Sequence, residues 1–160
     1  MSNDTIIVGG RQLNELLKTL APKVERNILR SALRAGAKVY LQSADEKIPV
    51  DQGDLRESLR ISTKAKRGVV SAGVKVGNKK AWYASLVEYG TKPHKIKAKN
   101  ARALSVGGVA VAAVDHPGAK ASPFMRPAAD ESHQAATDAV AQQIRRRLTK
   151  EGLSLPDSTT

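Results

Sequence analysis

The sequence predicts an α+β domain in which an antiparallel sheet of hairpins packs against a long N-terminal helix and a long C-terminal helix. Two long stretches with apolar residues at helical spacing lie toward the two ends of the 160-residue chain. Short strand-like runs joined at glycines lie between them. The predicted strands and helices do not alternate regularly, so the sequence gives no indication of parallel βαβ units. We expect one domain over residues 1–152 and a flexible C-terminal tail over 153–160.

The first long helix follows two short elements, a strand at Thr5–Val8 and a helical run of leucines at 13–20. Pro22 suits the first turn of a helix that continues to about Lys47. Basic residues recur every fourth position on its polar side, so they form a row. Such a row is either a solvated face or an electrostatic surface for DNA or for an acidic neighbouring subunit. The row is Arg26, Arg30, Arg34 and Lys38.

The segment IPVDQGD at 48–54 combines proline, glycine and two aspartates and predicts a turn. The runs Leu59–Lys64 and Val69–Val76 then predict a hairpin around Arg67 and Gly68.

The segment WYASLVEYGT at 82–91 contains three of the five aromatic residues of the chain. As a helix it places Trp82, Leu86 and Tyr89 on one face, and Gly90 ends it. Because aromatic side chains bury large areas, this face is expected to anchor the core. The predicted core anchor is Trp82, Tyr83, Leu86, Tyr89 and Phe124.

The stretch TKPHKIKAKNAR at 91–102 predicts an extended basic loop, since it has hardly any apolar residue. Its basic residues are Lys92, Lys95, Lys97, Lys99 and Arg102. A second hairpin turns at Gly107-Gly108 between runs at 103–106 and 109–114. After a further loop, Ser122 before Pro123 resembles a helix entry, and the final helix runs to about Lys150.

Composition restricts the function classes. The chain has no cysteine, which excludes disulfides and thiolate metal sites. Its formal net charge of +12 predicts a polyanion or an acidic partner nearby. No apolar run approaches the roughly 20 residues that cross a bilayer, and the N-terminus has no signal-peptide pattern.

No constellation of residues indicates catalysis. The three histidines have no metal-ligand spacing, and Asp115-His116 lacks a serine in a nucleophile elbow. Glu88 is a candidate buried acid, but a single carboxylate makes neither a metal site nor an acid–base pair. We therefore expect no enzyme activity, no cofactor and no metal.

Four segments in order resemble the tail-completion proteins of long-tailed bacteriophages, also called neck or head–tail joining proteins. They are PVDQGDLRESL at 49–59, YASLVEYGT at 83–91, the basic loop from Lys92, and HPGAKASPFMRPA at 116–128. The chain departs from the pattern at Gln52, where a small hydroxyl residue is expected, and in the tail beyond Gly152.

The resemblance implies a virion structural protein without enzymatic activity, assembled in the host cytoplasm as a ring that joins the tail to a DNA-filled head. Its partners would be further copies of itself, head-closure or connector proteins, and tail-terminator or tail-tube proteins. It would have no membrane contact, and non-specific DNA contact would occur in the channel. We expect the basic loop, rather than the helix row, to face DNA or a partner. A small basic nucleic-acid-binding regulator is the alternative, although no helix-turn-helix, zinc or base-stacking module is recognisable.

Overall fold

The computed structural model describes residues 22–98 and 103–152, preceded by Glu15, Lys18 and Leu20. Two 26-residue helices, α1 (Pro22–Lys47) and α4 (Met125–Lys150), frame the fold. Between them lie two short helices, α2 (Asp54–Glu57) and α3 (Ala84–Tyr89). The six strands are β1 (Arg60–Lys66), β2 (Val69–Lys75), β3 (His94–Lys97), β4 (Leu104–Val106), β5 (Val109–Val111) and β6 (Ala113–His116). The predicted α+β class and both long helices are confirmed.

Helices α1 and α4 pack against each other in opposite directions. Gln143 near the end of α4 donates a hydrogen bond to Ser31 near the start of α1 at 2.7 Å. At the other end Lys47 and Glu131 form an ion pair at 2.7 Å. Gly36 permits the close approach in the middle, because a Cβ there would lie 2.7 Å from a methyl group of Val140.

The core consists of two apolar clusters along this helix pair. One lies near the start of α1 and the end of α4, and contains Ile28, Ala32, Ile144 and Leu148. The other gathers the end of α1, α2, α3 and the start of α4 around Phe124, which is fully buried. Small alanines supply most of its remaining members, which are Ala44, Ile48, Leu55, Ala81, Ala84 and Ala128. This second cluster positions the candidate site.

The strands form three separate two-stranded antiparallel sheets rather than the single sheet that the sequence predicted. The β1–β2 hairpin turns at Arg67 and Gly68, as predicted, and packs against α1. Strand β3 pairs with β6, and β4 pairs with β5. We call these two pairs the arm; its base is closed by an antiparallel bridge between Thr91 and Ala119.

Some expectations fall outside the described residues. These are the strand at 5–8, the tail at 153–160, and the basic residues Lys99 and Arg102. Of the predicted helix at 13–20, Glu15 and Lys18 are described and are helical. None of the helices in the described part of the chain is long and apolar enough to cross a membrane.

Candidate assembly surface

Glu88 on α3 caps the start of α4. Its carboxylate accepts hydrogen bonds from the backbone N–H groups of Phe124 at 2.8 Å, Met125 at 2.9 Å and Arg126 at 3.2 Å. The first N–H groups of a helix have no partner within the helix, and the position preceding α4 supplies no side-chain cap of its own. A negative charge there also suits the helix dipole. A residue 36 positions earlier in the chain therefore fixes where α4 begins.

The Glu88 carboxylate is buried and charged. Burial alone raises the pKa of Glu88. The hydrogen bonds from the three N–H groups and from the Arg126 guanidinium together lower the pKa by more than burial raises it, so it lies below the ordinary value. Arg126 Nε donates to the carboxylate at 3.2 Å, and its Nη2 donates to the Glu88 carbonyl at 3.3 Å. The predicted buried acid is thus a structural cap.

The backbone after α3 runs beside the segment that leads into α4. The N–H of Ser122 donates to the carbonyl of Val87 at 2.9 Å, and Thr91 exchanges backbone hydrogen bonds with Ala119. Gly90 has φ +71°, and a Cβ there would lie 2.6 Å from the carbonyl oxygen of Ala119. A side chain is therefore excluded sterically as well as conformationally. Ser122 does not cap α4, which corrects the predicted helix entry.

The outer face of α3 is exposed, and the prediction that it anchors the core is wrong. Trp82 is 71% exposed and Tyr89 67% exposed, while Leu86 is also exposed at 39%. The inward face at the same helical spacing consists of Ala81, Ala84 and Glu88. Small residues are needed there because Phe124 and the first turn of α4 occupy the space. The large side chains consequently remain outside.

The other two members of the predicted anchor do contribute to the core. Phe124 is fully buried, as predicted, and Tyr83 is half-buried against the same cluster. Tyr83 meets Trp82 edge to face, with ring centroids 6.1 Å apart. The guanidinium of Arg126 lies 5.1 Å from the centre of the Tyr89 ring, at cation–π distance. We call Trp82, Leu86, Tyr89 and Arg126 the aromatic face.

The predicted basic loop is in part a strand. Residues His94–Lys97 form β3, and all four are exposed. Pairing with β6 places His94 opposite His116, with ring centroids 5.0 Å apart. Lys95 and Lys97 of this arm and the preceding Lys92 are exposed. Among the described residues, only Lys95 of these three forms an ion pair, with Asp115 at 3.7 Å. The stretch 103–114 that completes the arm contains no charged residue and is largely exposed.

The predicted row on α1 is exposed along its whole length. Within the described part of the chain none of its members forms an ion pair. The row belongs to the helix pair and the basic residues of the arm belong to another element, so the structure shows two separate basic features. The row is Arg26, Arg30, Arg34 and Lys38.

The described residues contain no group of three or more histidine, cysteine, aspartate or glutamate side chains that could hold a metal ion. A groove of about 230 Å³ between α1, β2 and α4 is lined mainly by apolar groups. Its lining residues are Tyr40, Ala44, Val74, Met125, Ala128 and Ala129.

Comparison with protein families gives one informative match. Residues 11–90 match the HK97-gp10_like family model, described as "Bacteriophage HK97-gp10, putative tail-component". The match covers half of the chain and includes α1, the β1–β2 hairpin and α3 with Glu88. Comparisons with curated proteins and with solved structures gave no match. The chain belongs to the HK97-gp10-like family of phage tail components.

Proposed function

We propose that the chain is a structural protein of the virion, of the neck or tail-completion type, which assembles as a ring and helps to join the tail to the DNA-filled head. One observation carries the proposal beyond membership of the family. Trp82, Leu86 and Tyr89 are exposed on α3 and the turn before it, and Arg126 of α4 lies over the Tyr89 ring, while the opposite side of α3 is fixed in the core. Trp, Tyr and Arg are the residues most enriched in the energetically dominant parts of protein interfaces.

The rigidity of this face supports a role in assembly. Helix α3 is attached to the core by Ala84, to α4 through Glu88, and to the segment before α4 through Val87. A preorganised surface loses little conformational entropy when a partner binds. The partners we propose are further copies of the chain, together with head-closure or connector proteins and tail-terminator or tail-tube proteins.

The role we propose is structural rather than enzymatic. The buried carboxylate is already occupied in capping a helix, and its pKa is lowered, so it is unsuited to act as a general acid near neutral pH.

The arm is the element we propose for contact with neck partners or with DNA in the channel. Each of its two strand pairs is a two-stranded sheet, and such pairs are only marginally stable alone in water. Contact with a neighbour would cover its exposed, uncharged stretch at 103–114. Its basic residues would make weak, sequence-independent contacts with phosphates.

Complementation of a phage that lacks the gene tests this proposal. We expect wild-type protein to restore infectious particles and to be found at the head–tail joint by immunogold labelling. Negative-stain images of the purified protein should show closed rings. Labelling elsewhere on the particle, or normal particles without the protein, would contradict the proposal.

A matched pair of charge variants tests which basic feature matters. Replacement of Lys95, Lys97 and Lys99 by glutamate should block the formation of infectious particles. The same change at Arg26, Arg30 and Arg34 should have the weaker effect. Ion pairs between these exposed residues and an acidic neighbouring subunit would contribute only about 0–1 kcal/mol each. A block by the helix variant together with normal infection by the arm variant would reverse this assignment.

A further inference from the structure

The segment 50–57 lies between α1 and the first strand, includes the short helix α2, and is acidic and largely exposed; we call it the acidic loop. It contains Asp51, Asp54 and Glu57, and none of these forms an ion pair with another described residue. The one basic residue of the loop, Arg56, is bound to Asp45 through two hydrogen bonds. The loop also exposes an apolar side chain, that of Val50, which is 61% accessible. The loop therefore offers an apolar contact with negative charge around it.

The acidic loop is held in place from within. Leu55 is buried in the second core cluster. The Ser58 hydroxyl donates to the Leu55 carbonyl at 2.6 Å and accepts the N–H of Gly77 at 2.8 Å. The loop is thus tied to the segment that leads into the aromatic face.

The aromatic face has the opposite charge at its edge. Lys79 and Lys80 directly precede it, are exposed, and have no ion pair within the described chain. Their position is fixed, since the Asn78 side chain accepts the N–H groups of Lys80 and Ala81, each at 2.8 Å. The Arg126 guanidinium adds positive charge over Tyr89, although its partner Glu88 neutralises part of it.

Among the described residues, no hydrogen bond or ion pair joins the acidic loop to the aromatic face. Leu55 below the loop and Ala84 below the aromatic face belong to the same core cluster, so their separation is fixed. In this arrangement Trp82 and Val50 both remain exposed. Both surfaces are therefore free to contact a second molecule.

We propose that the acidic loop of one copy docks on the aromatic face of the next copy in the ring. Val50 would pack against the aromatic side chains, with Asp51 and Glu57 facing Lys79 and Lys80. A contact between two different surfaces of the same chain is heterologous, and it generates a ring when the rotation closes. The inference rests on the proposed ring and names the contact that builds it.

DNA is the competing occupant of the aromatic face, because lysines attract phosphates without regard to sequence. DNA binding would explain the positive charge of Lys79 and Lys80, but it would give no role to the exposed Leu86. It also leaves the neighbouring acidic loop unexplained, since that loop repels phosphates. A second copy accounts for both surfaces at once.

Two charge-reversal variants test the contact. One is Lys79→Glu with Lys80→Glu, and the other is Asp51→Lys with Glu57→Lys; all four side chains are exposed, so the fold should persist. Sedimentation velocity measures the concentration needed for assembly. Each variant alone should need at least about tenfold more protein than wild type, because like charges meet across the contact. An equimolar mixture should assemble again, since every contact then joins opposite charges. A matched control for the lysine variant is Lys64→Glu with Lys66→Glu on β1, which changes the net charge by the same amount and should assemble as wild type.

Several outcomes would overturn the proposal. One is a mixture that assembles no better than its components. Another is loss of duplex DNA binding by the Lys79→Glu, Lys80→Glu variant with unchanged assembly, which assigns the face to DNA. A third is normal assembly of both charge-reversal variants while the double variant Val106→Ser, Val109→Ser fails to assemble, which assigns the contact to the arm.

Rings that form in spite of both charge reversals refute only this docking contact. Absence of wild-type rings and of the protein from the head–tail joint refutes the proposed function itself.

Discussion

The two faces of the segment 81–89, which consists of α3 and the turn before it, differ sharply. The inner face consists of small residues and one carboxylate, and it connects α3 to the start of α4. The outer face carries Trp82, Leu86 and Tyr89 and contacts little of its own chain. The comparison shows that the largest side chains of a segment need not hold the fold together. Here the alanines and Glu88 have that task, and the aromatic residues are available to a partner.

The largest difference is expected between truncation of the buried Phe124 and truncation of the exposed Trp82, because only the first of these side chains supports the fold. Phe124→Ala is expected to lower the free energy of unfolding by about 3–5 kcal/mol, because it leaves a cavity in the core. Trp82→Ala in the monomer should cost less than about 1 kcal/mol, because the side chain is exposed. Urea denaturation at a protein concentration below that of assembly measures both. Equal losses in the two variants would show that the outer face does support the fold.

Removal of the charge from the inner face should have the next largest effect. Glu88→Gln keeps the size of the side chain but weakens three hydrogen bonds to the first turn of α4 and leaves Arg126 without its anion. We expect a loss on the order of 2–3 kcal/mol, since hydrogen bonds to charged groups are the stronger ones. Amide hydrogen exchange should accelerate first at Phe124, Met125 and Arg126. Asp130→Asn is the control and should change stability little, because Asp130 is an exposed acidic residue of the same helix that forms no ion pair with another described residue.

The pH dependence of stability should report the same carboxylate. Because the pKa of Glu88 in the folded chain lies below its value in the unfolded chain, the unfolded state binds the proton more readily. The stabilisation is therefore complete above the unfolded pKa of about 4.3 and is lost as the pH falls through the folded pKa. Acid titration of the thermal midpoint should show a shallower decline in Glu88→Gln than in wild type. Parallel curves would mean that Glu88 is not stabilised as the anion.

Charge reversal on the arm should have the smallest effect on the fold. Lys95→Glu with Lys97→Glu changes two exposed side chains, so the free energy of unfolding should stay within about 0.5 kcal/mol of wild type. Circular dichroism during thermal unfolding measures this. A fall in the midpoint comparable to that of Glu88→Gln would place the arm among the elements that stabilise the body.

The sequence predicted the elements better than it predicted which way they face. Periodicity identified α1 to its last residue, and the glycines identified both hairpin turns. Periodicity also placed Trp82, Leu86 and Tyr89 on one face, but it does not say whether that face meets the core or the solvent. The series Ala81, Ala84 and Glu88 also has helical spacing, and its two alanines were the signal for the inner face.

Contacts between distant segments were the part that local patterns could not supply. Glu88 caps a helix that begins 36 positions later in the chain, so no local capping motif in the sequence predicts this contact. Pairing of β3 with β6 likewise turns an apolar-poor basic stretch into a strand, since the hydrogen-bonding partner lies beyond the intervening hairpin. The sequence of the acidic loop is that of an ordinary turn. The exposure of Val50, and carboxylates that form no ion pair with another described residue, depend on the fold.

The emission of Trp82 tests most directly whether the outer face of α3 is an assembly surface, because it is the only tryptophan in the chain. In the dilute monomer its emission maximum should lie at the long wavelength of a water-exposed indole. On assembly the maximum should shift to shorter wavelength, and iodide should quench it less. An unchanged emission maximum and unchanged quenching in assembled rings would show that Trp82 stays in water, which would contradict the account.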